Sequence, residues 1–331
     1  MKKYSTVVGI DVSKEKLDVC ILHEKNEQFI TVTNNASAFK GLTGLLKKQG
    51  IAKESVLFCM EHTGVYAYPI CFYLSRYGWN YTMISGLAIK KSLGIQRGKS
   101  DKADSKSIAR FGFLFQDELP KCQLPEDKLL KLKTLFSYRE RLVNAKKSIQ
   151  VPAQEMELFL KKSILGSLVT DSQKLVRALQ SRIKKVDQEM ESIIKSHEDL
   201  QKIYRLSTSV PGIGSQTAIY FMITTRGFSQ FSSWKKLACY SGVAPFPYSS
   251  GSSIKGKSRV SPFANKKAKT LLSMAAINAI RTDVEIKRYF KRKTEAGKNA
   301  MSVLNAIRNK LLARMFAAVK RETPYVAVSN Y

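Results

Sequence analysis

YSTVVGIDVSKEKLDVCILHEKNEQFITVT, residues 4–33, is the stretch whose reading decides the fold class. Tyr4–Asp11 is a β-branched run that ends in Gly-Ile-Asp. Leu17–His23 and Gln28–Thr33 follow as short strands, separated by polar breaks at Lys25-Asn26 and Asn34-Asn35, which makes a three-stranded meander. Outward from it, Ser37–Lys48 carries Phe39, Leu42, Leu45 and Leu46 on a helical stripe closed by Gly50. Val56–Met60 is continuously apolar, as a strand buried on both faces is. After Thr63-Gly64 a helix is expected through Arg76, then a fifth strand at Tyr81–Ile84. Helical patterns begin near Ala88 and again over Asp101–Phe115. The first 120 residues therefore read β-β-β-α-β-α-β-α, an α/β domain.

That order is the order of a ribonuclease-H-like nuclease core, and it gives four acids a common address. Asp11 ends the first strand and Glu61 ends the buried fourth. Asp101 and Asp104, three apart, share one face at the start of a helix. In such a fold the adjacent central strands and that helix bring all four carboxylates to one site. Hard oxygen ligands of this kind bind Mg²⁺ with its waters retained. Two such ions about 4 Å apart activate the attacking oxygen and stabilise the leaving one in phosphodiester cleavage. Taken singly, each acid has a plainer reading. Asp11 suits a turn after a strand, and Asp101 and Asp104 suit a helix N-terminus, worth about 0.3–1 kcal/mol against the macrodipole. Glu61 resists such a reading, because a carboxylate following Val-Leu-Phe-Cys-Met needs a partner or a task. His62 beside it reads as part of the strand-to-helix turn.

The middle of the chain, residues 121–204, differs in kind. Glu126–Ile149 and Leu175–Tyr204 are charged, Gly-free and helical in pattern. Ile183, Val186, Met190, Ile193, His197 and Leu200 alternate spacings of three and four, a coiled-coil seam. Pro152 and Gly166 interrupt the two arms, so a helical hairpin or dimerising arm is expected rather than one unbroken rod. The last part, 205–331, reads as mainly helical. Val210-Pro211-Gly212-Ile213-Gly214 resembles a helix–hairpin–helix turn that grips phosphates through helix N-terminal amides, with an ordinary Gly turn as the plainer account. Helices are expected over Asn265–Ile280, Val284–Lys293 and Ala300–Val319.

Composition bounds the partners. The chain has 331 residues, 44% of them hydrophobic, and a net charge of +30. That apolar content excludes a disordered polycation, and no apolar run approaches the roughly 18 residues of a membrane span. Met1-Lys2-Lys3 hints at a secretory signal, but Asp11, Lys14, Glu15 and Lys16 arrive too early. Cys20, Cys59, Cys71, Cys122 and Cys239 are an odd, scattered set, unsuited to a disulfide framework or a zinc site. A cytoplasmic protein with a polyanionic partner remains, nucleic acid first. Between Lys255 and Arg321 stand 18 Lys/Arg and three acids, half the net charge in a fifth of the length. Lys255, Lys257, Arg259, Lys266 and Lys267 open that segment and are the candidate nucleic-acid contacts.

Just before it, Ser249, Ser250, Ser252 and Ser253 flank Gly251. A serine hydroxyl beside cations can attack a phosphodiester and hold it as phosphoserine. By composition alone the segment reads as a flexible loop or a phosphate nest, and its pattern does not single out a nucleophile. The chain has only three His, none nearby, which disfavours a Ser-His-Asp hydrolase. Tyr240, Phe246 and Tyr248 suit either stacking on unpaired bases or a core.

The ordered set Gly9-Ile10-Asp11 with Lys14–Asp18, Glu61-His62-Thr63-Gly64-Val65-Tyr66, Asp101-Lys102-Ala103-Asp104, Val210–Gly214, and Tyr248–Gly256 with Ser258-Arg259 spans nearly the whole chain. It resembles the DEDD-type insertion-sequence transposases, the family that includes Piv-type DNA invertases and bridge-RNA-guided recombinases. The resemblance implies a RuvC-like domain over 1–120, with Asp11, Glu61, Asp101 and Asp104 as catalytic metal ligands for two Mg²⁺ ions. It implies a coiled-coil region over 121–204 and a C-terminal transposase domain over 205–331 with a nucleophilic serine. The family serine precedes the glycine and falls on Ser250; relatives often carry an acid just before it, where this chain has Ser249. Donor and target DNA, a structured guide RNA and a dimer or tetramer are the implied partners, with work at the nucleoid and no membrane. The rivals are a RuvC-like structure-specific endonuclease that uses water, and a non-catalytic nucleic-acid scaffold.

Overall fold

The structure is a computed structural model that describes residues 3–24, 26–62, 64–92, 94, 100–120, 122, 124–250 and 254–326. The chain divides into two compact units, Met1–Leu124 and Pro125–Tyr331. None of the helices among the described residues is long and apolar enough to cross a membrane.

The first unit is a five-stranded sheet in the order β3-β2-β1-β4-β5. Its strands are β1 (Thr6–Val12), β2 (Lys16–His23), β3 (Asn26–Thr33), β4 (Val56–Glu61) and β5 (Asn80–Ile84). The meander β1-β2-β3 is antiparallel, whereas β4 and β5 run parallel to β1. The sheet is mixed for a topological reason. Breaks of three and two residues suffice for the two hairpins, but a parallel neighbour needs a crossover helix. Here those are α1 (Ala36–Lys48) before β4 and α2 (Tyr68–Arg76) before β5. Then α3 (Gly86–Ser92) and α4 (Asp101–Phe115) follow.

Alternation along β1 sorts the two faces. Val8, Ile10 and Val12 join Phe58 and Met60 of β4 in a core with Phe39, Leu42 and Leu46 of α1 and Ile70, Cys71 and Leu74 of α2. Val7, Leu57 and Cys59 point the other way, into a core with Ile108 and Phe111 of α4. Cys20 and Leu22 of β2 pack there too, against Ala109. Cys59 and Cys71 are thus buried small hydrophobes, and burial pushes both thiols up.

In the second unit α5 (Asp127–Phe159) and α7 (Leu168–Lys195) form a helical hairpin through the short α6 (Lys162–Leu165). The pairs Arg139–Asp187 and Lys146–Gln180 climb α5 as they descend α7, which fixes the two helices as antiparallel. Two expectations need correction. Pro152 lies inside α5, which continues to Phe159; a proline removes one backbone hydrogen bond and kinks a helix without having to end it. The turn comes later, at Gly166, where φ is +50°. The seam is also not one helix. Chain direction changes at Ser196-His197, where α8 (Glu198–Thr208) starts, and His197 Nδ1 lies 2.8 Å from the carbonyl oxygen of Ile193. Ile183, Val186, Met190, Ile193 and Leu200 of that seam are nevertheless buried.

From there α9 (Ser215–Thr225) and α10 (Trp234–Tyr240) lead to an antiparallel hairpin, β6 (Pro245–Ser250) and β7 (Ile254–Val260). Three helices close the unit: α11 (Lys266–Thr282), α12 (Val284–Glu295) and α13 (Ala300–Arg321). Their core runs through Val210, Phe221, Leu237, Leu272, Ile307, Leu311 and Met315. At the Val210–Gly214 turn, Gly212 has φ +89°, and a Cβ there would strike the backbone of Ala275 on α11. This turn therefore seats α8 and α9 on α11 as well as joining them.

Candidate functional site

Each predicted acid is placed by a local packing decision. Gly9 and Asp11 are two residues apart on β1 and share its α4 face. A side chain at Gly9 would collide with the backbone of Ser105 and Ala109, so α4 runs directly against β1 there. Farther along, Gly112 meets Val7 and Cys59. The helix thus descends as β1 rises, and its first turn, with Asp101 and Asp104, comes level with Asp11. Ser100 caps this turn by accepting from the Ala103 amide at 3.2 Å. Across the sheet, Lys106 pairs with Glu27 at 2.5 Å and Lys102 stands 4.4 Å above the Phe29 ring, which fixes the helix laterally.

Glu61 reaches the same face by parity, following Leu57 and Cys59 on β4. The β1–β4 register, Ile10 beside Met60, sets it next to Asp11 at the carboxyl ends of two parallel strands. Its carboxylate lies over Gly86, where any Cβ would overlap Oε1. Glu61 is neither fully buried nor fully exposed.

The register adds a residue that the sequence reading did not assign. Asp18 of β2 pairs directly with Asp11, so both carboxylates leave the same face. Thr31 donates to Asp18 Oδ1 at 2.7 Å. Lys16 lies 3.0 Å from Asp18 Oδ2 and 2.7 Å from Asp101 Oδ2. The signal was available: a hairpin turning at Ser13–Glu15 puts residues 11 and 18 opposite each other. Charged residues on an edge-proximal strand look like solvent-facing alternation, and that hid it.

The electrostatics follow from this crowding. Burial first, then the like charges of Asp104, Asp101, Asp18 and Glu61, push the Asp11 carboxyl up from its ordinary value. Among the described residues no three acid, His or Cys side chains are gathered closely enough to enclose a metal ion. Five carboxylates on one face, with Asp11 raised first by burial and then by its like-charged neighbours, are nonetheless a donor set suited to a hard cation.

The serine segment, read from the sequence as a loop, is the end of a β-hairpin. Pro245 and Pro247 fit such a ribbon, because a two-stranded ribbon has only edges, where proline is tolerated. Ser249 pairs with Lys255 and Ser250 with Ile254, after a bulge between Phe246 and Tyr248. Residues 251–253 and the side chains of Ser249, Ser250, Lys255 and Lys257 lie outside the described residues. The hairpin root is firm: Asn305 and Asn309 of α13 both donate to the Val243 carbonyl, at 2.8 and 2.7 Å. Phe246 and Tyr248 are 46% and 68% exposed, so they belong to no core. Arg259, opposite Phe246, and Lys266 are exposed. Lys267 is already engaged with Glu140 of α5 and lies 5.9 Å from the Phe136 ring.

Comparison with known proteins agrees in both units. Residues 8–151 match a family model for DEDD transposases of the IS110 type, described as "Transposase". Residues 204–291 match one described as "Transposase IS116/IS110/IS902 family". The pilin gene-inverting proteins of Moraxella bovis and Moraxella lacunata are each 28% identical over 324 residues, 97% of this chain and 97% of theirs. An insertion element IS110 protein of 43.6 kDa from Streptomyces coelicolor is 27% identical over 154 residues, 46% of this chain and 38% of its own.

Proposed function

The chain belongs to the IS116/IS110/IS902 family of transposases, enzymes of DNA recombination, and on that footing we propose that it cuts and rejoins DNA strands through a serine–DNA intermediate. The first unit is read as a RuvC-like nuclease domain, supported by the strand order β3-β2-β1-β4-β5 with only its meander antiparallel. The observation that carries the reading is the convergence of Asp11, Glu61, Asp101 and Asp104 toward the carboxyl ends of β1 and β4, where burial and then the neighbouring like charges raise Asp11.

Those four acids are the residues that would hold Mg²⁺ with its waters retained, and their number suits two ions. When bound, the ions neutralise charge on the scissile phosphate and on the oxygens that attack and leave it. The rest falls to the chain. Ser250 Oγ bonds to phosphorus as one bridging P–O bond breaks; the hydroxyl gives up its proton and the departing strand oxygen gains one. One phosphodiester has replaced another, so no bond energy is lost to water. Attack by the hydroxyl of a second strand reverses the step, joins that strand and frees the serine. Lys255, Lys257, Arg259 and Lys266 supply phosphate contacts, and the exposed rings of Phe246 and Tyr248 supply stacking surfaces for unpaired bases.

The Moraxella relatives are named for inverting a pilin gene; inversion and insertion share the strand-exchange step proposed here. Pairing of donor and target calls for a dimer or tetramer, in which the serine of one protomer can complete the acidic site of another. A structured guide RNA on the basic surface would supply target choice, and the place of work is the nucleoid.

Strand cleavage of an element end in Mg²⁺ tests the reading. Asp11→Asn, Glu61→Gln and Ser250→Ala should each lower cleavage by about a thousandfold or more. Normal cleavage by Ser250→Ala alone would make the protein a water-using endonuclease. Normal cleavage by Glu61→Gln would overturn the carboxylate site, and no Mg²⁺-dependent cleavage by the unaltered protein would favour a scaffold.

A further inference from the structure

Lys16 opens β2 two residues before Asp18, on the α4 face of the sheet. Its ammonium bridges two elements, 3.0 Å from Asp18 Oδ2 and 2.7 Å from Asp101 Oδ2. Asp18 is fixed on its other side by Thr31, at 2.7 Å, and stands opposite Asp11 in the β1–β2 register. The bridge is about half exposed at Lys16 and at Asp101, at 47% and 57%, whereas Asp18 is 13% exposed. An exposed pair of that kind contributes little to stability. The α4 helix is in any case seated by its close packing at Gly9 and Gly112. Holding the fold together is therefore a weak account of a lysine among five carboxylates.

Resting on the reading that Asp11, Glu61, Asp101 and Asp104 take divalent ions, we infer that Lys16 is the resident counter-cation of this face: it holds Asp101 against Asp18 and must yield Asp101 to an incoming ion. The geometry makes the two uses compete. Asp101 Oδ2 accepts from the ammonium at 2.7 Å, whereas Mg²⁺ requires its oxygens at about 2.0–2.1 Å in a near-octahedral shell. Even if Asp101 turned its other oxygen to the ion, a unit positive charge a few ångströms away would remain. At water-like dielectric and ordinary ionic strength that repulsion is worth about a decade in affinity. Lys16 is thus a positioning residue. It keeps the acids together before loading and sets ion affinity below what the carboxylates alone would give.

Binding of Mn²⁺ to the full chain without DNA, read from the electron-paramagnetic signal of free Mn²⁺, tests this without recourse to activity. Lys16→Gln should bind about tenfold more tightly than the unaltered protein, and Lys16→Met should do the same. Lys16→Arg, which keeps the charge, should stay within about threefold. Asp11→Asn should lose most of the binding. Unchanged or weaker binding by the neutral Lys16 variants, with Asp11→Asn still defective, overturns the counter-cation role and leaves the carboxylate reading standing. Binding that ignores Asp11→Asn, or no Mn²⁺ binding by any form, overturns both.

Discussion

Gly9 and Gly86 shape the acidic face by what they omit. At Gly9 an added methyl meets the backbone of α4, which has to move away from β1. Gly9→Ala should therefore cost about 1–3 kcal/mol in denaturant unfolding and remove cleavage with it. At Gly86 the nearest atoms to the methyl are those of the Glu61 carboxylate, the far end of a flexible side chain. Gly86→Ala should leave stability within about 1 kcal/mol while cleavage falls at least tenfold, because Glu61 is displaced from its neighbours. Gly41, inside α1 with nothing within 4 Å of its missing Cβ, serves as the control. Gly41→Ala should stabilise by about 0.5–1 kcal/mol without touching activity. These residues show where sequence reading succeeds and stops. Gly9-Ile10-Asp11 announces a strand end with an acid, and Glu61 announces itself by following five apolar residues. Asp18 and Lys16 do not, since their role depends on a cross-strand pairing that no run of consecutive residues displays.

Among the elements, those with strong periodicity were legible. The strands of the meander, the buried β4 and the three last helices lie within a few residues of where their patterns put them. Less legible were features decided by geometry rather than hydropathy. The seam through Ile193 and Leu200 keeps its heptad spacing across Ser196-His197, yet the backbone turns there. The β6–β7 ribbon is rich in Ser, Gly and Pro, residues of low strand propensity, and is held at its root by α13 through Val243. The contact between α12 and α13 carries a pH dependence. Glu285 is nudged up by partial burial, but Arg314 at 2.6 Å and Lys310 at 3.5 Å outweigh this and hold it below its ordinary value of 4.5. A carboxylate depressed in the folded state stabilises above its unfolded pKa and loses that contribution as pH falls through the folded value. Glu285→Gln should therefore flatten the acid limb of stability below about pH 4.5, by less than about 1 kcal/mol because the pair is exposed. Urea unfolding at pH 7 and pH 3.5 for both forms measures it.

For the whole molecule, the net charge of +30 divides unevenly, with half of it between Lys255 and Arg321. The acids proposed for chemistry lie in the first unit, Met1–Leu124, and the serine hairpin in the second, Pro125–Tyr331. The second unit is therefore the one to show steep salt dependence. If it neutralises about 6–10 phosphates, DNA affinity should fall by about 10³–10⁵ between 50 and 200 mM salt. Arg259→Ala and Lys266→Ala should each reduce the slope of log affinity against log salt by about one, whereas Lys267→Ala, already paired with Glu140, should change it less. The division of labour between carboxylates and serine is the central claim. Its most direct measurement is mass spectrometry of the protein trapped on a nicked element end and digested to peptides. The account predicts a nucleotide attached to Ser250, with no adduct from Asp11→Asn protein. Cleaved DNA with no attached peptide, or an adduct that forms equally well in Asp11→Asn, would contradict it.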